Sequence, residues 1–486
     1  MLTGTITSLG AVVVAKSFGL LESIAVARII GDVQFGLLAL VLSVTNLVLA
    51  CGVLGLPSAL TKFLSGEVSG SREATWGTIR RAVRLVTIAA SLVGFLAGFL
   101  VVQSLLPSAL GSYKYLFVIG TVLVAASAPL VLFGNALQGL GHIPELNLRA
   151  GLAAVVGLGL AIPLSLYFGI MGALIAFIAS ATLVGFLALP LVWKLVRNIP
   201  SSDKTKAVSV RTLLNYGIPI LISGLIVLVA FYWVNSLLAL GPGFGDLGSF
   251  TVAFTLANVI TLLSSSIGVP LVPLLSSLSL NDPEKGRMVV ARVMRITIFI
   301  TVPFLIVAIC FSREILAITY GSRFAKGASY LPILALSSFL ASISGIVGNQ
   351  IAGTGKMWWG LGINVIWTST IFLASTLLIP IYEGVGASFS ILAAYSVLAL
   401  VALVVQKSVL HVRIPGLAKP AAWAATLIAS SFLVWLFGAD WRIPFGVFLL
   451  GGSLVSMKLL LSPSERAVVT DILSSVQTRL RSGRRT

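Results

Sequence analysis

Charge is what this chain has least of. Only 9% of its 486 residues are Asp, Glu, Lys or Arg, 58% are apolar, and the mean hydropathy is +1.09. No soluble fold has that balance. Carboxylates are the scarcer charge, with 14 Asp and Glu in all. Those expected outside the cell, Asp32, Asp246, Glu314, Glu383 and Asp440, are scattered singly over short loops, while His142 and His411 fall on the opposite side. Acid/base or metal chemistry needs such groups assembled. No constellation here argues for an enzyme, a metal or a cofactor. The two cysteines, Cys51 and Cys310, lie in apolar runs with no CxxC spacing, which leaves a disulfide framework and a zinc site unsupported.

What the chain has in abundance is apolar runs of membrane-spanning length. A span needs about 20 mostly apolar residues to cross ~30 Å of hydrocarbon. Cutting wherever charge or Gly/Pro interrupts gives about 14 predicted transmembrane helices: 4–30, 35–60, 83–106, 115–140, 150–168, 173–193, 213–240, 248–280, 293–311, 330–351, 360–380, 386–406, 421–437 and 445–461. The expected fold is an all-α polytopic membrane protein. None of its external loops is large enough for a folded catalytic domain.

The net charge of +18 is distributed unevenly. Basic residues resist translocation and mark cytoplasmic segments. They gather at Lys62 to Arg84, Arg149, Lys194 to Arg211, Lys285 to Arg295, Lys356, Lys407 to Lys419 and Lys458 to Arg485, with Lys114, Arg313, Arg323, Lys326 and Arg442 outside. Both termini are therefore expected in the cytoplasm and the protein in the cell membrane. The positive excess reads as topology and attraction to anionic lipid, not nucleic-acid binding. The first span has no basic n-region and no convincing cleavage site, and is expected to remain in the mature protein.

The chain also repeats itself. Gly134-Asn135-Ala136-Leu137-Gln138-Gly139 reads against Gly348-Asn349-Gln350-Ile351-Ala352-Gly353 at an offset of 214, which also carries Gly172-Ala173 onto Gly386-Ala387. Gly36 to Asn46 matches Gly248 to Asn258 at 212, and Pro57 matches Pro270 at 213. A fixed long period means duplicated architecture. Six spans per copy return the chain to its starting side, so the repeats are parallel, and transporters built this way place substrate near the midplane between their halves. The expected organisation is an N-terminal lobe over 1–193, a cytoplasmic linker over 194–212 and a C-terminal lobe over 213–407. Two helices outside the duplication follow over 408–461, then a basic tail over 462–486. That tail has an apolar face at Val468, Val469, Ile472, Leu473, Val476 and Leu480, suited to lying on the inner leaflet.

Pro57, and Pro270 with Pro273, fall late in spans two and eight beside glycines, so those spans are expected to kink and are candidate hinges. Asn46 and Asn258 are matched within the same helices and are candidates for cavity contact or interhelical hydrogen bonding. The sharpest chemical signal lies in the first span: Lys16 near its middle, Glu22, and Arg28 toward the outer end. A central charge costs about 2.5 to 3.5 kcal/mol to insert, so it faces protein or water and marks a pathway. Six residues rotate a helix by about 600 degrees, which leaves Glu22 well off the Lys16 face and directs it to another helix or to ion coupling. Arg28 has Asp32 four residues on as a partner. Lys62 ends span two where topology alone explains a cation, and completes the candidate substrate-binding set Lys16, Arg28, Asn46, Asn258 and Lys62.

Lys16-Ser17-Phe18-Gly19, Ala27-Arg28-Ile29-Ile30-Gly31 and Phe35-Gly36-Leu37-Leu38, running into Gly55-Leu56-Pro57-Ser58, resemble the opening of the Wzx-type polysaccharide flippases. These belong to the multidrug/oligosaccharidyl-lipid/polysaccharide (MOP) exporter superfamily. Leu137-Gln138-Gly139 and the stretch from Ile315 to Ala328 resemble the same group, and the likeness runs from about residue 5 to 410. The resemblance implies a MATE-like, V-shaped, two-lobed fold that moves lipid-pyrophosphate-linked oligosaccharide to the outer leaflet. It also implies membrane lipids and polysaccharide-assembly enzymes as partners, and a monomer suffices to enclose the site. Three other readings stand beside it. The first is a cation-coupled multidrug exporter, for which Glu22 is the counterpart of a deep acidic residue. The second is a peptidoglycan-precursor flippase, from which Glu22 departs. The third is a polytopic glycan polymerase or glycosyltransferase.

Overall fold

The computed structural model describes residues 2–53, 55–64, 88, 91–92, 94–96, 98–100, 108–139, 143–197, 210–268, 283–353, 357–408 and 416–460. Among these no strand occurs. The helices are α1 (Leu2–Val53), α2 (Leu56–Leu64), α3 (Lys114–Gly139), α4 (Ile143–Arg197), α5 (Val210–Leu240), α6 (Phe244–Gly268) and α7 (Pro283–Cys310). They continue with α8 (Ser312–Thr319), α9 (Gly327–Gly353), α10 (Met357–Ser408), α11 (Ala418–Trp435) and α12 (Ala439–Leu460). Two short 3-10 turns, Ser108–Tyr113 and Ser322–Phe324, precede α3 and α9. Residues of the predicted third span are helical where described.

Nine helical stretches among the described residues are long and apolar enough to cross a membrane. Three of these, Ser17–Val53, Leu148–Leu183 and Trp358–Ser408, are too long for one crossing, since 36 residues of helix already reach about 54 Å. Each contains one non-helical residue: Gly31 in α1, Gly169 in α4 and Glu383 in α10. All three fall in gaps between the predicted spans.

At the second and third of these breaks the chain doubles back. Residues eight apart on a straight helix are about 12 Å apart. A Cβ on Gly172 would nevertheless lie 1.8 Å from the Leu164 carbonyl oxygen, and one on Gly386 would lie 2.2 Å from that of Leu378. Further along the same hairpins, Ser180 Oγ donates to the Ala153 carbonyl at 3.3 Å, and the Trp367 and Tyr395 rings lie 5.4 Å apart. The duplicated glycine is thus the residue where the two arms touch first. Gly169 (φ 56, ψ −133) and Glu383 (φ 53, ψ −130) are themselves 214 residues apart and share one backbone conformation.

Helix bounds depart from the predicted spans at α7, which starts at Pro283, well before 293. The predicted cut followed charge, but Lys285, Arg287 and Arg292 ride on the helix itself, with Glu284 in the first turn favouring its N-terminus.

The chain divides into two compact units, Met1–Gly248 and Ser249–Thr486. In the first, α1 packs on α3, α4 and α5, and α2 packs on α3 and α5. Its core is built on small residues that let helix backbones approach, among them Ala27, Ala59, Ala136, Ala153, Ala161 and Ala176, all fully buried. In the second unit, α9 packs on α7 and α10, α8 on α7 and α9, and α11 and α12 on α7 and each other. The last two helices are fixed by specific bonds. Trp423 Nε1 donates to Ser456 Oγ at 2.8 Å, Trp435 Nε1 donates to Ser312 Oγ at 3.3 Å, and the Trp423 ring lies 5.1 Å from that of Phe299.

Candidate functional site

The first unit builds a buried carboxylate. Glu22, on the first arm of α1, is 8% exposed although its neighbour Leu21 lies open at 49%. It faces α4 across a gap left by Gly157, where an added Cβ would stand 3.4 Å from Glu22 Oε1 and 2.9 Å from Ser180 Oγ. Ser180 comes from the returning arm of the α4 hairpin, so the break at Gly169 brings it here. Its hydroxyl proton is directed to the Ala153 carbonyl, and Glu22 Oε1 has no hydrogen-bond partner among the described residues. An unsatisfied carboxylate oxygen in a buried, largely apolar setting is costly when ionised.

The duplication supplies an internal comparison. Offsets of 212 to 214 carry Glu22 onto Val234, Asn235 and Ser236 of α5, so the second repeat has no carboxylate at the equivalent place.

The other sequence candidates are placed as follows. Lys16 lies on α1 and Lys62 on α2, with side chains outside the described residues. Arg28 is exposed on α1, while Asp32 Oδ2 lies 3.2 Å from the point where a Cβ on Gly245 would stand, at the start of α6. Asn46 is exposed on the second arm of α1. Asn258 is half-buried on α6, and its Oδ1 accepts from Thr261 Oγ1 at 3.3 Å while the same hydroxyl reaches the Asn258 carbonyl at 2.7 Å. Among the described contacts, then, the Asn258 amide is engaged within its own helix.

The helix of span two is interrupted ahead of Pro57: α1 ends at Val53, Gly55 takes φ +68, and α2 restarts at Leu56. The restart is tied to the duplicated Gly-Asn element. Thr61 Oγ1 lies 3.2 Å from the Pro57 carbonyl, 3.1 Å from the Asn135 carbonyl and 3.2 Å from Asn135 Oδ1. Asn135 Nδ2 in turn donates to the Val131 carbonyl at 2.8 Å. Pro270 and Pro273 lie outside the described residues, as do residues 198–209 of the linker expected over 194–212 and the whole tail over 462–486.

Sequence reasoning missed one charged site altogether. Glu314, expected as an isolated loop carboxylate, sits in the first turn of α8 and receives a hydrogen bond from Arg442 Nη2 of α12. Arg442 is 1% exposed. The partners are 128 residues apart, so no local spacing announces them. The usable signal was a cation at the edge of an apolar run, which calls for a partner.

With this geometry in place, comparison with known proteins adds the following. A family model described as "polysaccharide biosynthesis protein" matches residues 1–279, more than half the chain. A search of curated proteins gives no match. Among solved structures, the lipid II flippase MurJ in an inward closed conformation is similar at TM-score 0.68 and 14% identity, covering 94% of this chain and 98% of that one. A multidrug resistance MATE family transporter of the MOP superfamily, inward-facing, is similar at 0.62 and 17%, covering 86% and 95%. A mutant of the Vibrio cholerae MATE transporter VcmN is similar at 0.63 and 15%, covering 84% and 96%. Duplicated helical hairpins, membrane-length apolar helices and the family match agree: the chain belongs to the polysaccharide biosynthesis protein family and has a MATE-like fold.

Proposed function

We propose that this protein is a membrane transporter that flips lipid-(pyro)phosphate-linked oligosaccharide from the cytoplasmic to the outer leaflet for surface-glycan assembly. The single observation that carries the reading is the family match over residues 1–279, which spans the whole first repeat with Lys16, Arg28 and Lys62. In this proposal the repeats over 1–193 and 213–407 act as two lobes in alternating access. Both termini and the linker over 194–212 lie in the cytoplasm, with the protein in the inner membrane. Lys16, in mid-span, offers a phosphate-bearing head a cation in a low-dielectric setting, where their attraction is far stronger than in water. Asn46, Asn258, Arg28 and Lys62 complete the cavity-lining set, the segments at Pro57, Pro270 and Pro273 are the hinges, and Glu22 is the coupling group for a cation or proton.

The test is depletion in the native organism. Lipid-pyrophosphate-linked oligosaccharide is expected to accumulate with its glycan facing the cytoplasm, and to be cleared by wild type but not by a well-expressed Lys16→Ala variant. Clearance by that variant would sink the cationic-cavity mechanism.

A second reading, a cation-coupled multidrug exporter, is favoured by one observation, the buried carboxylate of Glu22. Depletion without glycolipid accumulation, but with raised sensitivity to cationic dyes, would select it.

A further inference from the structure

One end of the second unit concentrates cations on a built surface. Val290 and Met294 of α7 and Ala402 and Val405 of α10 belong to one buried cluster, and Leu417, just before α11, packs against it. Three elements therefore converge there, and each carries cations beside its contact residues. Arg292 and Arg295 flank Met294, Lys407 follows Val405, and Lys419 follows Leu417. Arg292, Lys407 and Lys419 are exposed, and Arg295 is half-buried.

The floor of this surface is set by Gly416. It takes φ +73, and a Cβ on it would lie 2.9 Å from Arg295 Nη1, so the guanidinium rests on bare backbone at the turn into α11. Negative charge is sparse here. Glu314 is bound to Arg442, and Glu383 occupies the break of α10, far along that helix from Lys407. Among the described residues of α7, α10 and α11, only Glu284 shares this end, about 12 Å before Arg292 along α7.

We propose that Arg292, Lys407 and Lys419, over a floor formed by Arg295 and Gly416, bind the headgroup of an anionic phospholipid. An anionic head at such a juxtamembrane patch gains about 1 kcal/mol per basic residue, close to fivefold in affinity for each. The surrounding apolar faces of α7 and α10 accommodate acyl chains, with Met288 and Val404 exposed beside the cations. The leaflet follows from the orientation proposed above and is the cytoplasmic one. The binding itself does not depend on what the protein transports.

The experiment uses the full-length chain and counts phosphatidylglycerol against phosphatidylcholine retained on it, by native mass spectrometry from mixed vesicles. Wild type is expected to prefer phosphatidylglycerol. The Arg292→Gln/Lys407→Gln/Lys419→Gln variant, which leaves Arg295 and the packed cluster intact, is expected to lose that preference by about fivefold per charge removed. A control removes three exposed cations elsewhere in the unit, as Arg313→Gln/Arg323→Gln/Lys326→Gln, and is expected to retain it. Equal loss in both variants would mean diffuse charge and overturn the site, as would a wild type with no preference. Displacement of the lipid by inorganic pyrophosphate would assign the patch to free phosphate anions and likewise overturn it.

Discussion

Gly36 and Gly248 meet through a reciprocal backbone contact. A Cβ on Gly36 would stand 1.9 Å from the Phe244 carbonyl oxygen, and a Cβ on Gly248 would stand 2.1 Å from that of Asp32. Each glycine faces the carbonyl four residues before the other, and the two are separated by the 212-residue repeat. The contact has local two-fold symmetry.

Gly36→Ala and Gly248→Ala should each destabilise the protein by about 1 to 3 kcal/mol, because the obstructing atoms are backbone and cannot swing aside. Gly19→Ala, with nothing within 4 Å of its added Cβ, should be neutral or stabilising. Thermal unfolding of the three variants in one detergent checks this, and equal midpoints for Gly36→Ala and Gly19→Ala would refute it.

The pair Gly169 and Glu383 yields a prediction of opposite sign. Both adopt a positive-φ conformation that suits glycine, but only the first is one. Glu383→Gly should therefore stabilise by about 1 kcal/mol through released backbone strain, and Gly169→Ala should destabilise by about 1 to 3 kcal/mol. Denaturation midpoints of the two variants are the measurement.

Breaking the pair of buried Arg442 and half-buried Glu314 should be costly. Arg442→Leu leaves the half-buried Glu314 carboxylate without its cation and is expected to lose about 1 to 3 kcal/mol. Arg442→Met combined with Glu314→Leu should recover most of that loss, since an apolar pair avoids the desolvation of both charges. A double-mutant cycle on thermal unfolding decides, and a double variant as unstable as Arg442→Leu would count against the account.

Glu22→Gln keeps the shape of the side chain and removes its charge. Folding should be unaffected, and transport should lose its dependence on an imposed proton or sodium gradient. A flux assay in vesicles reads this directly. Unchanged gradient dependence would remove Glu22 from coupling.

The parts legible in the sequence were those that backbone geometry imposes on residue type. Gly172 and Gly386 stood out as duplicates because no side chain fits where the hairpin arms touch. The break ahead of Pro57 was legible from the glycine and proline beside it. Gly169 and Glu383 escaped notice because the same bend is made by unlike residues, so the signal exists only in φ and ψ. The surroundings of Glu22 were equally hidden. Gly157 and Ser180 are ordinary residues whose meaning comes from the α4 hairpin that brings them together. Arg442 and Glu314 were both expected outside yet read as unrelated, since nothing along the chain links two charges on α8 and α12.

The same separation bears on biosynthesis. Glu314 emerges from the ribosome 128 residues ahead of its partner, a wait of roughly 6 to 25 seconds at ordinary elongation rates. Throughout that interval α7 and α8 lack the cover of α11 and α12, and Glu314 lacks Arg442. Among the described residues, α11 and α12 are thus the last elements to close the second unit.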